Sequence, residues 1–156
     1  MSYYLDTSVF RTFEYYFPGT FPSFWRELER AVDDGQIVSV EHVREEVSHG
    51  ACASHMADWI GKHGNIFLSP SGDELDMVSQ IFRVPRFKAL VSKKAILLGK
   101  DVADPFLIAA AGKTNGCVVT RERYKPNAVK IPNVCEHFQV DCIDEQELMA
   151  RLGWQF

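Results

Sequence analysis

The fold class is decided by residues 103–120, which read ADPFLIAAAGKTNGCVVT. Asp104 before Pro105 predicts a helix start, with aspartate as the N-cap and proline at the first helical position. After Gly116, the run from Cys117 to Thr120 is almost wholly apolar, which is typical of a strand buried on both faces of a parallel sheet. A helix that leads directly into such a strand indicates an α/β fold.

The same alternation of strands and helices extends along the rest of the chain. The patterns predict further strands at 3–5, 36–40, 66–68 and 140–143. Helical patterns lie between them, at 22–34, 43–50, 53–60, 75–84, 86–98, 132–138 and 144–152. Alternating elements of this kind predict a mainly parallel sheet covered by helices, with right-handed crossovers.

Length and composition limit the classes of protein that remain. The chain has 156 residues, of which 46% are hydrophobic and 24% are charged, so we expect one globular domain spanning 1–156. No apolar run approaches the roughly 20 residues that span a bilayer, and no basic segment precedes an apolar stretch at the N-terminus. Four cysteines without a Cys-x-x-Cys pair indicate reduced thiols. We therefore expect a cytoplasmic protein without a membrane partner.

Basic residues are concentrated in one part of the chain, although the formal net charge is -4. Residues 83–130 contain 11 of the 17 basic residues and only three acids. Charge alone leaves two interpretations equally open, a solvated helix face or a surface that binds the phosphate backbone of a nucleic acid. For the second interpretation the candidate RNA-binding residues are Lys93, Lys94, Lys100, Arg121 and Arg123.

Four acidic residues stand where strands end or the following helices begin: Asp6, Glu46, Asp104 and Glu122. The carboxyl ends of parallel strands share one crevice, so these side chains are expected to meet there. Two carboxylates about 4 Å apart repel by roughly 4 kcal/mol at an effective dielectric near 20, so one is protonated or a cation neutralises the group. Oxygen ligands select a hard cation such as Mg²⁺ or Mn²⁺, which can activate water for attack on a phosphodiester.

Taken alone, three of these acids have simpler interpretations. Asp104 is explained as an N-cap, Glu46 as an exposed helix residue, and Glu122 as part of a surface turn. Asp6 is the exception, because it follows an apolar strand and because Thr7 and Ser8 supply hydroxyl donors that can orient it. No Gly-x-Ser-x-Gly or glycine-rich phosphate-binding motif occurs, so nucleophilic hydrolases and the common nucleotide-binding classes lack support.

Four blocks of sequence, in order, resemble the PIN-domain family of small stand-alone, VapC-like ribonucleases. They are LDTSVF at 5–10, REEV at 44–47, ADPFLIAA at 103–110 and VVTRE at 118–122. Together they cover nearly the whole chain, and the tail at 130–135 and 142–143 also resembles a subgroup of small stand-alone members. The resemblance implies a three-layer α/β/α sandwich and a Mg²⁺- or Mn²⁺-dependent ribonuclease.

The resemblance also implies the roles of individual residues. It assigns metal binding and catalysis to Asp6, Glu46, Asp104 and Glu122, with Thr120 orienting one carboxylate by its hydroxyl. Glu45 competes with Glu46 for the second position, and Glu46 is preferred because it directly precedes an apolar residue. The family has an aspartate where this chain has Glu122, so Asp101, one helical turn before Asp104, is a reserve ligand.

The leading hypothesis is thus a metal-dependent endoribonuclease that acts on single-stranded or structured RNA. Many proteins of the resembled family are toxins of type II toxin-antitoxin systems, which implies a small antitoxin partner, and we expect a homodimer. The alternative is a catalytically weak or inactive module that binds RNA or a partner protein. A phosphotransfer domain of the receiver type is disfavoured, since such domains usually need a second aspartate near the first strand.

Overall fold

The computed structural model describes residues 1–90 and 102–156. Within them, five strands form one sheet with the order β3-β2-β1-β4-β5, and every neighbouring pair is parallel. The strands are β1 Tyr3–Leu5, β2 Ile37–Val40, β3 Phe67–Leu68, β4 Cys117–Val119 and β5 Asp141–Ile143. The sheet is flanked by helices, so the predicted α/β/α sandwich with a mainly parallel sheet is confirmed.

Eight α-helices and two 3₁₀ helices occur in the described part of the chain. The α-helices are α1 Thr7–Phe13, α2 Pro22–Asp33, α3 Glu41–Ser48, α4 Ser54–Lys62, α5 Gly72–Arg83, α6 Asp104–Lys113, α7 Ile131–Phe138 and α8 Glu145–Arg151. The 3₁₀ helices are Gly64–Ile66 and Pro85–Leu90. No described helix combines the length and the apolar character needed to cross a bilayer.

One helix was missed, one local prediction is wrong, and one predicted helix falls largely outside the described residues. Helix α1 was not predicted, although Val9, Phe10 and Phe13 are spaced for one helical face and are all buried. Asp104 is the first residue of α6 and not its N-cap, because the backbone at Ala103 is already helical. The helix predicted at 86–98 lies largely outside the described residues, and its described part is a 3₁₀ helix.

The centre of the sheet is fully covered on both faces. Every residue of β1 and β4 is buried, which matches the near-continuous apolar run that predicted β4. Helix α6 packs on β1, β2 and β4, and α5 packs on α6. The close packing needs glycine at position 116, where a Cβ atom would lie 2.6 Å from the Tyr4 ring. The four cysteines are free thiols.

Strand order places a topological switch point at the middle of the sheet. From β1 the chain moves outward through β2 to β3, and it then returns to β4 on the other side of β1. The connection after β1 leads towards β2, and the connection after β4 leads to the opposite side, towards β5. A crevice therefore opens between these two connections, beyond the carboxyl ends of β1 and β4. Asp6 follows β1 directly, and Thr120 follows β4 directly. The crevice is therefore lined by the residues that end these two strands.

Candidate functional site

Asp6 is held at the base of the crevice by both neighbouring strands. Its backbone N–H donates to the Val119 carbonyl at 2.9 Å, and its side chain is buried, with 5% of the residue exposed. Ser8 Oγ and Thr120 Oγ1 donate to the same carboxylate oxygen, Oδ2, at 2.7 and 3.0 Å. The other oxygen, Oδ1, accepts no hydrogen bond from the described residues. The carboxylate of Asp6 is thus oriented through one of its two oxygens.

Glu46 projects from α3 and is partly buried, whereas its neighbour Glu45 is exposed. Thr7 Oγ1 donates to Glu46 Oε2 at 2.7 Å, and the backbone N–H of Ala103 donates to Oε1 at 3.1 Å. The structure therefore places Glu46, and not Glu45, against the start of α1 and the start of α6. Of the two hydroxyl donors proposed for Asp6, Ser8 donates to it, whereas the Thr7 hydroxyl is directed to Glu46.

Glu122 is fixed by two backbone contacts in the segment after β4. Its own N–H donates to Thr120 Oγ1 at 3.1 Å, and its Oε2 accepts from the N–H of Ile131 at 2.8 Å. Ile131 is the first residue of α7, so the carboxylate occupies a helix N-terminus, where the helix dipole favours negative charge. The Thr120 hydroxyl therefore links the two acids, since it donates to the Asp6 carboxylate and accepts from the backbone N–H of Glu122.

The pKa of Asp104 is sensitive to the other three acids of the crevice. Burial raises the pKa of Asp104 from 3.8 to about 8, together with the nearby charges of Asp6, Glu122 and Glu46. Lys130 lowers the pKa of Asp104, but with the smallest effect of these groups. Partial burial weakens solvent screening between the carboxylates, so the fourth negative charge is costly. The crevice accordingly keeps Asp104 protonated near neutral pH unless a cation neutralises the group.

The donor chemistry of the crevice fits a hard divalent cation. Its candidate ligands are carboxylate oxygens, which Mg²⁺ and Mn²⁺ prefer. Residues 1–90 and 102–156 contain no group of three or more His, Cys, Asp or Glu side chains arranged tightly enough to hold a metal ion. The four carboxylates therefore repel one another within one crevice without closing around a common point.

The predicted basic residues fall into two groups. Lys93, Lys94 and Lys100, together with the reserve ligand Asp101, lie outside the described residues. Arg121 and Arg123 are exposed in the segment after β4, next to Glu122. Arg121 Nε pairs with Glu145 at 2.9 Å, and its Nη1 donates to Thr12 at 3.1 Å. Cationic side chains thus border the acidic crevice on the side of α1.

Sequence reasoning missed two kinds of contributor to the site. Backbone N–H groups of Ala103 and Ile131 position Glu46 and Glu122, and no side-chain pattern reveals such donors. Arg11 was also missed, although its guanidinium donates to the carbonyl of Glu46 at 3.3 Å. The helical spacing of Val9, Phe10 and Phe13, mentioned above, is the signal that places Arg11 on the exposed side of α1.

The fold and the crevice define an α/β domain with an acidic site at the switch point of a parallel sheet. The chain matches, over residues 3–156, the model of a family described as a domain of unknown function, DUF4411, and it belongs to that family. No curated protein matches the chain.

Proposed function

We propose that this protein is a Mg²⁺- or Mn²⁺-dependent endoribonuclease of the PIN type. The observation that carries the proposal is the meeting of the acids at the switch point: the Thr120 hydroxyl contacts both Asp6 and Glu122, and Glu46 is bonded to the N–H of Ala103, next to Asp104. Such a group becomes fully ionised at neutral pH only when a cation offsets its charge. When bound, a divalent ion supplies an activated water and offsets charge that develops on phosphoryl oxygens.

Each acid has a separate part in the proposed reaction. Asp6 and Asp104 bind the ion directly. Glu46 binds it or positions the attacking water, while Thr7 and the Ala103 N–H fix the carboxylate of Glu46. Glu122 supports the site without binding the ion directly, and its Oε2 is held by the N–H of Ile131.

The test is cleavage of a fluorophore-quencher single-stranded RNA in Mn²⁺. We expect Asp6→Asn to lower the rate by more than about 100-fold, since loss even of outer-shell partners commonly costs 10- to 100-fold. Glu46→Gln should also lower the rate, whereas the matched variant Glu45→Gln should retain it, because Glu45 is exposed. Equal rates for wild type and Asp6→Asn, purified in parallel, would refute the proposal.

The biological role proposed with this activity is that of a toxin held by a small antitoxin in the cytoplasm. Growth arrest on induction of the wild type, but not of Asp6→Asn, is the expected result. Growth arrest by both proteins would mean that toxicity does not depend on nuclease activity, and it would refute the proposed role as a toxin.

A second candidate is a module of the same fold that binds RNA or a partner protein without hydrolysis. Hydrogen bonds to both oxygens of Glu46 and to Oε2 of Glu122 favour it, because oxygens already bonded within the protein are less available to an ion. It predicts retention of RNA without turnover at every concentration of Mn²⁺, so the cleavage assay distinguishes the two functions.

A further inference from the structure

A shallow groove of about 440 Å³ adjoins the acidic crevice on the side of α1. Its lining residues are Ser8, Arg11, Thr12, Tyr15 and Arg121. The volume lies within the roughly 300–1,000 Å³ of clefts that hold small organic ligands. None of these five residues is among the four acids of the candidate metal site, so the groove extends the crevice with side chains of a different chemistry.

Ser8 connects the groove to the crevice. Its Oγ donates to Asp6 Oδ2 at 2.7 Å and accepts from the backbone N–H of Arg121 at 3.1 Å. One hydroxyl thus contacts both the first acid of the crevice and the chain segment that carries the Arg121 guanidinium. A ligand that reaches the crevice at Asp6 can therefore continue into the groove without crossing another element.

The two guanidinium groups of the groove are held in place before any ligand binds. Arg11 Nη1 donates to Glu14 at 3.2 Å and to the Ala51 carbonyl at 3.0 Å, and its Nη2 donates to the carbonyls of Glu46 and His49 at 3.3 and 3.4 Å, so both terminal nitrogens of Arg11 are already bonded within the protein. Arg121 is fixed between Thr12 and Glu145, yet 56% of its side chain stays exposed. Because the Arg121 side chain is already ordered, a phosphate bound to it costs less conformational entropy than one bound to a free side chain.

Tyr15 supplies an unoccupied aromatic face at the same place. The residue is 75% exposed, and its ring contacts no other aromatic ring of the described residues, in contrast to Tyr16, which stacks on Phe24 at 4.3 Å between centroids. Bases of single-stranded nucleic acids stack on such rings, whereas a duplex keeps its bases stacked inside. An exposed ring beside the exposed guanidinium of Arg121 matches a single-stranded polyanion with bases.

We propose that this groove binds one nucleotide of single-stranded RNA beside the scissile phosphate, with its base on Tyr15 and its phosphate on Arg121. The inference rests on the proposed function for the position of the scissile phosphate. It adds Tyr15 as a substrate-binding residue, and it places the RNA that leaves the crevice along α1.

The experiment measures fluorescence anisotropy of a labelled, mixed-sequence single-stranded RNA 12-mer, with Ca²⁺ replacing Mn²⁺ to prevent turnover. Tyr15→Ala should raise Kd by about 5- to 150-fold, because stacking contributes roughly 1–3 kcal/mol per base. Tyr15→Phe should bind as wild type, since it keeps the ring. The aromatic control Phe156→Ala, at a residue that is 56% exposed but lies outside the groove, should not change Kd.

Arg121→Gln tests the phosphate contact through its salt dependence. It should weaken binding and reduce the slope of log K against log salt concentration by about 0.7, the value for one phosphate of a single strand. Arg30→Gln is the charge-matched control, because Arg30 is exposed on α2 and pairs only with Glu27 among the described residues. Thermal unfolding of each variant verifies that it is folded.

The outcomes separate the inference from the function on which it rests. RNA cleavage that requires Asp6, with unchanged Kd for Tyr15→Ala and unchanged salt slope for Arg121→Gln, would overturn the groove and leave the nuclease standing. The predicted changes in binding, without any Asp6-dependent cleavage, would support the groove and favour the non-hydrolytic module. A wild type that binds no RNA would overturn both.

Discussion

Asp104→Asn should stabilise the metal-free protein at neutral and alkaline pH. Burial and three neighbouring carboxylates raise the pKa of Asp104 from 3.8 to about 8, so its ionisation opposes folding. Below the unfolded pKa both states are protonated and the full stability is present. Between pH 3.8 and about 8 the unfolded chain loses a proton that the folded chain keeps, so stability falls as pH rises.

The size of the change in unfolding free energy follows from the pKa shift of Asp104. A shift of about 4 pKa units at 1.36 kcal/mol per unit corresponds to a cost on the order of 6 kcal/mol above about pH 8. Since part of this cost is already present at about pH 5, the loss between about pH 5 and about pH 9 is on the order of 4 kcal/mol. Asparagine has nearly the same shape and does not ionise, so the variant should lack this loss.

Urea unfolding across this pH range, in EDTA, measures the effect. The difference in unfolding free energy between Asp104→Asn and wild type should grow with pH. Asp58→Asn is the control, because Asp58 is exposed on α4 and has no hydrogen bond or salt bridge within the described residues, so its difference should stay near zero. A difference for Asp104→Asn that is constant from about pH 5 to about pH 9 would refute the electrostatic convergence of the four acids.

Two further predictions concern ion binding and packing. Mn²⁺ should raise the Tm of wild type more at about pH 8.5 than at about pH 6, because protons compete with the ion for the carboxylates. Asp6→Asn should lose most of this rise in Tm. An equal rise in Tm for both proteins would contradict the prediction. Gly116→Ala should destabilise the fold by about 1–3 kcal/mol in urea unfolding, because the added Cβ would lie 2.6 Å from Tyr4 and 2.9 Å from the Ser2 carbonyl. Gly61→Ala, in α4 with nothing within 4 Å of the added Cβ, should instead stabilise it by about 0.5 kcal/mol, and a loss at both positions would refute the packing argument.

Elements with strong local signals were predictable. The run from Cys117 to Thr120 predicted β4, and Gly35, with a φ of +71°, follows the end of α2 as expected. Helix α5 ends at Arg83, two residues before Pro85, because proline has no backbone N–H to continue a helix. Signals of this type depend only on neighbouring residues, so a single sequence contains them in full.

Contacts between distant segments were not predictable in the same way. Thr7 is the first residue of α1, a helix that the sequence patterns did not predict. Its hydroxyl donates to Glu46, 39 positions further along the chain, and not to the adjacent Asp6. Glu46 is the partly buried member of the pair Glu45 and Glu46, yet the preference for it in the sequence rested only on the apolar residue that follows. The groove at Tyr15 had no local signal, because it forms only where α1 meets the segment after β4.

The sequence by itself determined the class of fold and the position of each acid along the chain, because apolar periodicity and strand ends are local properties. Only the tertiary structure decided that these acids share one crevice, since the strand order places β1 beside β4. The pKa of Asp104 likewise depends on burial and on three charges contributed by other segments. Electrostatic coupling depends on distance in space, and distance in space is set by the packing of the whole chain.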